Sequence, residues 1–193
     1  MEDITREKWL ILAIELFRQG VFKRLGYNIP KLRVSVGLPH GRGSLKTIGQ
    51  CWPARSSKDK TISIFISPRI EDTRYILATI AHELVHAHLD CKHGHHGPFI
   101  AIARDIGLKG PYRATTAGPK LQPEIELIQK KLGPIPHSEL YLDKSPIKKQ
   151  TTRMVKMECE SCGYIVRSAF KHILERGPVI CPCNGGPMTY SIS

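Results

Sequence analysis

The 193-residue chain contains no run of eighteen apolar residues, so it has nothing long enough to cross a bilayer as a helix. Its first twenty residues, MEDITREKWLILAIELFRQG, put acids ahead of a short apolar stretch and break that stretch with charges. That is the wrong order for a secretory leader and suits an amphipathic helix. An intracellular protein, cytoplasmic or nucleoid-associated and with no membrane partner, is the expectation. The chain is also poor in acid, with 17 Asp and Glu against 29 Lys and Arg, a net charge of +12. The 48 residues from Lys109 to Lys156 hold ten of those basic residues and four acidic ones. Such a surplus favours a polyanionic partner, nucleic acid first, through phosphate neutralisation; a solvated basic surface is the plainer reading. No internal repeat is present. Apolar residues make up 41% of the chain, enough for one core with a small appendage.

Apolar positions Ile4, Leu10, Ile14, Phe17 and Val21 recur at helical spacing and predict a first helix over residues 4–25. The segments 31–37, 44–53 and 61–70 read as strands of a small antiparallel sheet. A second helix is predicted from Glu71 to about Asp90, with Glu71 and Asp72 at its positive end. A third opens at Pro98 and stops at Gly107. The order helix, strands, helix, helix implies an α+β fold. From there the composition shifts to prolines and lysines. The expected organisation is a first domain over 1–110, a basic connector over 111–156 with one short helix at PEIELIQKKL, and a small module over 157–193.

Six of the nine histidines lie between Thr79 and Phe99. His82 and His86 stand one helical turn apart, so their imidazoles can converge on one ion. Glu83 projects beside that ion without binding it. This His-Glu-x-x-His pattern is that of zinc metallopeptidases. Two imidazoles and a third ligand hold Zn²⁺ while the fourth position keeps a water, whose pKa falls towards about 7. Glu83 can take the water's proton and later pass it to the leaving amine. The plainer reading is a surface helix with a histidine pair, but Ile80, Ala81, Leu84 and Val85 make this helix apolar around the pair. For the third ligand, His88 faces another way on the helix. The metzincin spacing fails, with Leu89 where glycine is needed and Lys92 where histidine is needed. No glutamate lies between Glu83 and Glu124, which removes the thermolysin-type ligand. His93, His95 and His96 remain, and spacing does not choose among them.

The run HELVHA followed by GHHGPFIAIARDIGL resembles the SprT-like metallopeptidase family, which includes proteases of DNA–protein crosslinks. The resemblance covers most of the chain, including the segments around IGQCWP and TISIFIS. It implies a zincin-like minimal metallopeptidase domain, with the family's Gly-His-x-x-x-Phe segment falling on Gly94, His95 and Phe99. His95 is then the third zinc ligand, with His96-Gly97-Pro98 as a rival match. The implied substrate is polypeptide, in particular protein bound or crosslinked to DNA. Cys51 and Trp52 read as core residues and Cys91 as a free thiol. Tyr112, Arg113 and His137 are downstream groups within reach of a site, none standing out as the oxyanion stabiliser.

Cys159-x-x-Cys162 and, nineteen residues on, Cys181-x-Cys183 form two tight pairs near glycines. Four thiolates in so short a segment suit a closed tetrahedral zinc site that supplies folding energy, ahead of stray disulfides or a redox dithiol. The family commonly carries such a C-terminal zinc ribbon. A closed site is structural, giving one catalytic and one structural Zn²⁺ in all. DNA contacts are expected from Lys144, Lys148, Lys149, Arg153 and Lys156 in the connector, and from Arg167 and Lys171 in the ribbon, with Tyr164 and Phe170 available for stacking. Two rivals stand beside the protease reading. One is a nucleic-acid-binding protein whose metal sites are only structural, and the other a zinc hydrolase of a small amide.

Overall fold

The structure, a computed structural model, describes residues 4–40, 46–141 and 154–190. The chain is α+β and forms two compact units, Met1–Asp143 and Lys144–Ser193.

In the first unit, α1 (Arg6–Phe17) starts at Thr5, whose Oγ1 accepts the Lys8 N–H. It buries Trp9, Leu10, Ala13, Ile14 and Phe17. One π-type turn, Arg18–Phe22, continues it, with Gly20 leaving helical geometry at ψ −112°. A Cβ at Gly20 would lie 1.9 Å from Oε1 of Glu124, so only glycine lets that carboxylate approach the break.

Strands β1 (Leu32–Val36), β2 (Gly49–Trp52) and β3 (Ile62–Ile66) make one sheet in the order β1-β3-β2. β3 takes the centre because its alternate residues Ile62, Ile64 and Ile66 are all buried. The sheet is mixed, which corrects the antiparallel expectation. β2 and β3 are antiparallel, but β1 runs parallel to β3, with Val34 opposite Ile64. Successive hairpin pairing would leave β3 at a sheet edge; between β1 and β2 both its backbone edges are paired, while α2 packs on the sheet. Trp52, expected in the core, alternates with Cys51 onto the sheet's open face and is half-buried.

Helix α2 (Thr73–His88) begins at Asp72, whose carboxylate accepts the Tyr75 N–H at 2.6 Å. Every residue from Ile76 to Ala87 is buried, so α2 runs through the core rather than along its surface. Helix α3 (Pro98–Ile106) has proline in its first turn and ends at Gly107, φ +95°. Gly107 leads into a two-stranded ladder of β4 (Leu108–Lys109) and β5 (Thr116–Ala117). Helix α4 (Gln122–Leu132) then returns across the core, burying Ile125 and Ile128 behind Leu121.

The expected connector over 111–156 therefore divides differently. Its first thirty or so residues belong to the first unit: the Ile135 N–H donates to Thr73 Oγ1 at 3.1 Å and the Leu140 N–H to Pro68 O at 2.8 Å. The expected short helix forms, with Pro123 in its first turn, where a missing N–H costs nothing, and its apolar residues Ile125 and Ile128 join the main core. Lys144, Lys148, Lys149 and Arg153 lie outside the described residues.

The second unit has β6 (Met154–Glu158), β7 (Ile165–Ala169) and β8 (Thr189–Tyr190) in the antiparallel order β7-β6-β8, with α5 (Phe170–Arg176) after β7. Its buried cluster is Met157, Cys159, Ile173, Cys181 and Met188. Five side chains are too few to hold such a module without a staple. Among the described residues, no helix is long and apolar enough to cross a membrane.

Candidate metal centres

Burial of α2 creates the problem its polar residues must solve. His82, Glu83 and His86 are only 8%, 4% and 9% exposed, and polar groups so placed need partners. The partner comes from the turn after α2. Asp90 and Cys91 take positive φ (48° and 56°), as does Gly94 (52°), which swings the chain back so that His95 meets the helix. Its Nε2 lies 3.1 Å from His82 Nε2 and 3.1 Å from His86 Nε2. His93 and His96 are exposed and outside the cluster. His88 Nδ1–H donates to Asn28 O at 2.8 Å, and its ring meets the Tyr27 ring edge-on.

Three imidazole nitrogens at one point cannot satisfy one another. Each N···N contact needs one donor and one acceptor, and burial with mutual repulsion keeps the rings uncharged. Those two causes depress His82 to about 3; burial and the His95 charge depress His86 to about 4. His95 is lowered too, chiefly by burial and then by Arg113. Three nitrogens bound at about 2.0–2.1 Å with tetrahedral angles would stand about 3.3 Å apart, close to the distances here. The trio can hold a metal ion. Its surroundings fit that use. His82 Nδ1 is 2.8 Å from the buried Thr115 Oγ1, which fixes the ring with Nε2 inward. The Phe99 ring touches all three imidazoles, with centroids at 4.9, 4.4 and 5.1 Å, and walls the cluster on its apolar side.

Glu83 points from α2 towards β2. Burial, and then the charge of the nearby Cys91, pushes its pKa up to about 8 against the opposing pull of the Cys51 backbone N–H. A Cβ on Gly49 would sit 2.5 Å from Glu83 Oε1, so a bare backbone there is what lets β2 pass the carboxylate. Glu83 and the three histidines line one cavity of about 520 Å³, whose further walls are the β2 segment and Arg113 to Thr115. Of the downstream candidates only Arg113 borders it. Tyr112 instead holds Arg104 Nε at 3.0 Å, and His137 Nε2 meets Pro68 O at 2.9 Å. Thr115 and Gly49 were missed in the sequence, since neither stands in a motif with the histidines. The proximity of each is set by strand pairing.

In the second unit the four cysteines converge. Cys159 and Cys183 Sγ are 3.6 Å apart, Cys162 and Cys181 3.6 Å, and Cys181 and Cys183 3.4 Å. These spacings approach the roughly 3.8 Å edge of a tetrahedron with bonds of about 2.3 Å and exceed a disulfide's roughly 2 Å. All four are free thiols, and the set can hold a metal ion. Both pairs sit on the same turn. The Gly163 N–H donates to Cys159 O at 2.8 Å, and the Gly185 N–H to Cys181 O at 2.9 Å, each glycine at positive φ. The second pair thus keeps the five-residue turn and places its ligand one position earlier. Asn184 fills the vacated position and its Nδ2 donates to Ser161 Oγ at 2.8 Å. Backbone N–H groups of Cys162 and Ser161 lower the Cys159 thiol to about 6, favouring a thiolate. Lys156 pairs with Glu158 and Lys171 with Glu175; Tyr164 is exposed, while Phe170 is partly buried against the small core.

The chain is thus an α+β protein with one three-histidine and one four-cysteine cluster, each able to bind a metal. No protein-family model, curated protein or solved structure matches it.

Proposed function

We propose that the chain is a zinc-dependent peptidase of the SprT-like, zincin-type kind, acting inside the cell on proteins associated with or crosslinked to DNA. The observation that carries this reading is the convergence of three neutral imidazole nitrogens beside a buried carboxylate in a cavity with room for a polypeptide. His82, His86 and His95 are the ligands of the catalytic ion. Zinc held there supplies Lewis acidity and a water of lowered pKa. Glu83, with the Cys51 N–H beside its carboxylate, would serve as general base and then as general acid towards the leaving nitrogen. Thr115 keeps His82 in the tautomer that offers Nε2. Phe99 keeps water from the apolar side of the trio. Arg113, at the cavity wall, is the cation available to a peptide carbonyl there. β2 lies at an edge of its sheet, and an extended substrate can run alongside it. The four cysteines hold the second, structural zinc.

Glu83→Gln tests the reading. Glutamine keeps an oxygen for the Cys51 N–H but cannot take a proton. Cleavage of a DNA-bound protein should fall by about 10²–10⁴-fold while zinc content stays at two per chain. Unchanged cleavage in the variant refutes the role of Glu83. A wild type that binds zinc and DNA but cleaves nothing, with or without DNA, favours a nucleic-acid-binding protein with structural metals. Activity confined to small amides moves the assignment to a small-molecule hydrolase.

A further inference from the structure

The sheet has two faces, and the metal cavity uses one of them. On β2, Gly49 and Cys51 face α2 and Glu83, while Gln50 and Trp52 face the opposite side, next to Ser63 and Phe65 of β3. No helix of the described residues covers that side. It forms a groove of about 340 Å³, within the range of roughly 300–1,000 Å³ usual for ligand sites.

The groove is lined by aromatic and polar side chains. Trp52 and Phe65 line it, both half-buried in a face where burial gains them nothing from the core. The His40 ring leans over Trp52 at 6.1 Å between centroids, 44° off parallel. The Gln50 side chain clamps the His40 wall with two bonds, accepting the His40 N–H at 2.9 Å and donating to its carbonyl at 3.1 Å. The opposite wall is the turn after β2, where Ser57 Oγ donates to Thr61 O at 2.8 Å and the Lys60 N–H donates to Ser57 O at 3.1 Å. Both walls are therefore fixed before anything binds. The turn that forms the second wall also carries two exposed cations: Lys58 and Lys60 follow the lining residue Ser57 and are, among the described residues, in no ion pair, while the intervening Asp59 is engaged by Arg33.

We propose that this groove binds single-stranded nucleic acid, with a base stacked on Trp52 and Phe65 and its flanking phosphates against Lys58 and Lys60. An apolar peptide would want a dry groove; the hydroxyls of Ser56, Ser57 and Ser63 and the two free ammonium groups instead suit a ligand that is flat, polar at its edge and anionic along its backbone. The site gives a location to the DNA association in the function proposed above and rests on that part of it. A strand held here lies one sheet's thickness from Glu83, on the far side of β2.

The chain carries its own reporter. It has two tryptophans, and Trp9 is fully buried with its Nε1–H donated to Gly133 O at 3.2 Å. Emission that changes on ligand binding therefore comes from Trp52. Full-length protein titrated with oligothymidylate should lose tryptophan fluorescence as the oligonucleotide's own anisotropy rises. Trp52→Ala and Phe65→Ala should each weaken binding about 5–150-fold, and Trp52→Phe should retain most of it. Lys58→Gln with Lys60→Gln should lower the slope of log Kd against log salt by about 1.4. Oligonucleotide binding with no change in Trp52 emission and no loss on Trp52→Ala overturns the proposal and sends the contact to another basic segment. Quenching by an apolar peptide but not by oligothymidylate overturns it in favour of a protein partner. Every readout is a binding measurement, and Glu83→Gln should leave all of them unchanged, so failure of the peptidase reading and failure of this site are told apart.

Discussion

Gly49 is the position where one methyl group should do most damage to the metal cavity. Its backbone is ordinary extended strand, paired with Ile66, so alanine meets no conformational penalty there. The obstacle is space. The added Cβ would lie 2.5 Å from Glu83 Oε1 and 2.6 Å from Thr79 Cγ2, and ordinary contact begins near 3.4 Å. About 0.9 Å must open between β2 and α2, the difference between 3.4 and 2.5 Å. Neither partner yields easily. Glu83 is in the buried stretch of α2 with the Cys51 N–H of β2 beside its carboxylate, and Thr79 Oγ1 is bonded to Tyr75 O at 2.9 Å. Overpacking of this kind costs about 1–3 kcal/mol, which at about 2–4 °C per kcal/mol for a chain of this size lowers Tm by several degrees. The functional loss should be larger than the stability loss suggests, because the carboxylate is what moves. Gly49→Ala should keep two zinc ions per chain, unfold several degrees lower by circular dichroism, and cleave at least about tenfold more slowly. A variant that melts with the wild type and cleaves at its rate would show that β2 does not press on Glu83, and the placement of that carboxylate would be wrong.

The choice of third ligand is checked by zinc analysis: His95→Ala should reduce bound zinc from two to one, and His96→Ala should leave two. Thr115→Val keeps the shape of the side chain but removes the hydroxyl beside His82 Nδ1, so zinc affinity or turnover should fall about 10–100-fold in a chelator competition, with little change in Tm. Cys183→Ser removes one corner of the four-thiolate site; one zinc should be lost and residues 154–190 should become sensitive to protease, since so small a core depends on its metal. Retention of two zinc ions by that variant would count against a tetrahedral site of all four cysteines.

The contrast between the two clusters shows which kind of information is local. His82 and His86 were legible because one turn of helix fixes their relation, and the four cysteines because each pair closes its own turn. His95 needed more. Spacing left His93, His95 and His96 open, and the selection is made by three positive-φ residues in the turn and by Phe99 behind the rings. The sheet's register was beyond local reading for a similar reason. Alternation along TISIFIS marks a strand with one apolar face, yet says nothing of which neighbour lies on each side, so the parallel pairing of β1 and β3 went unseen. Trp52 was assigned to the core on its residue type, although a period of two had already put it on the face opposite Cys51. The helix at PEIELIQKKL was legible because Pro123 suits a first turn, whereas its packing into the first unit was not.

Within the chain's own order of residues were the net charge, the α+β succession of elements, the histidine pair with its glutamate and the four-cysteine set, because each depends on composition or on neighbours within a few positions. Left to the tertiary structure were the third histidine, the hydroxyl of Thr115, the bare backbone at Gly49 and the aromatic groove behind β2. Those are meetings between segments distant in sequence, and they come about only when burial of β3 and α2 in one core forces the remaining segments into the places left to them.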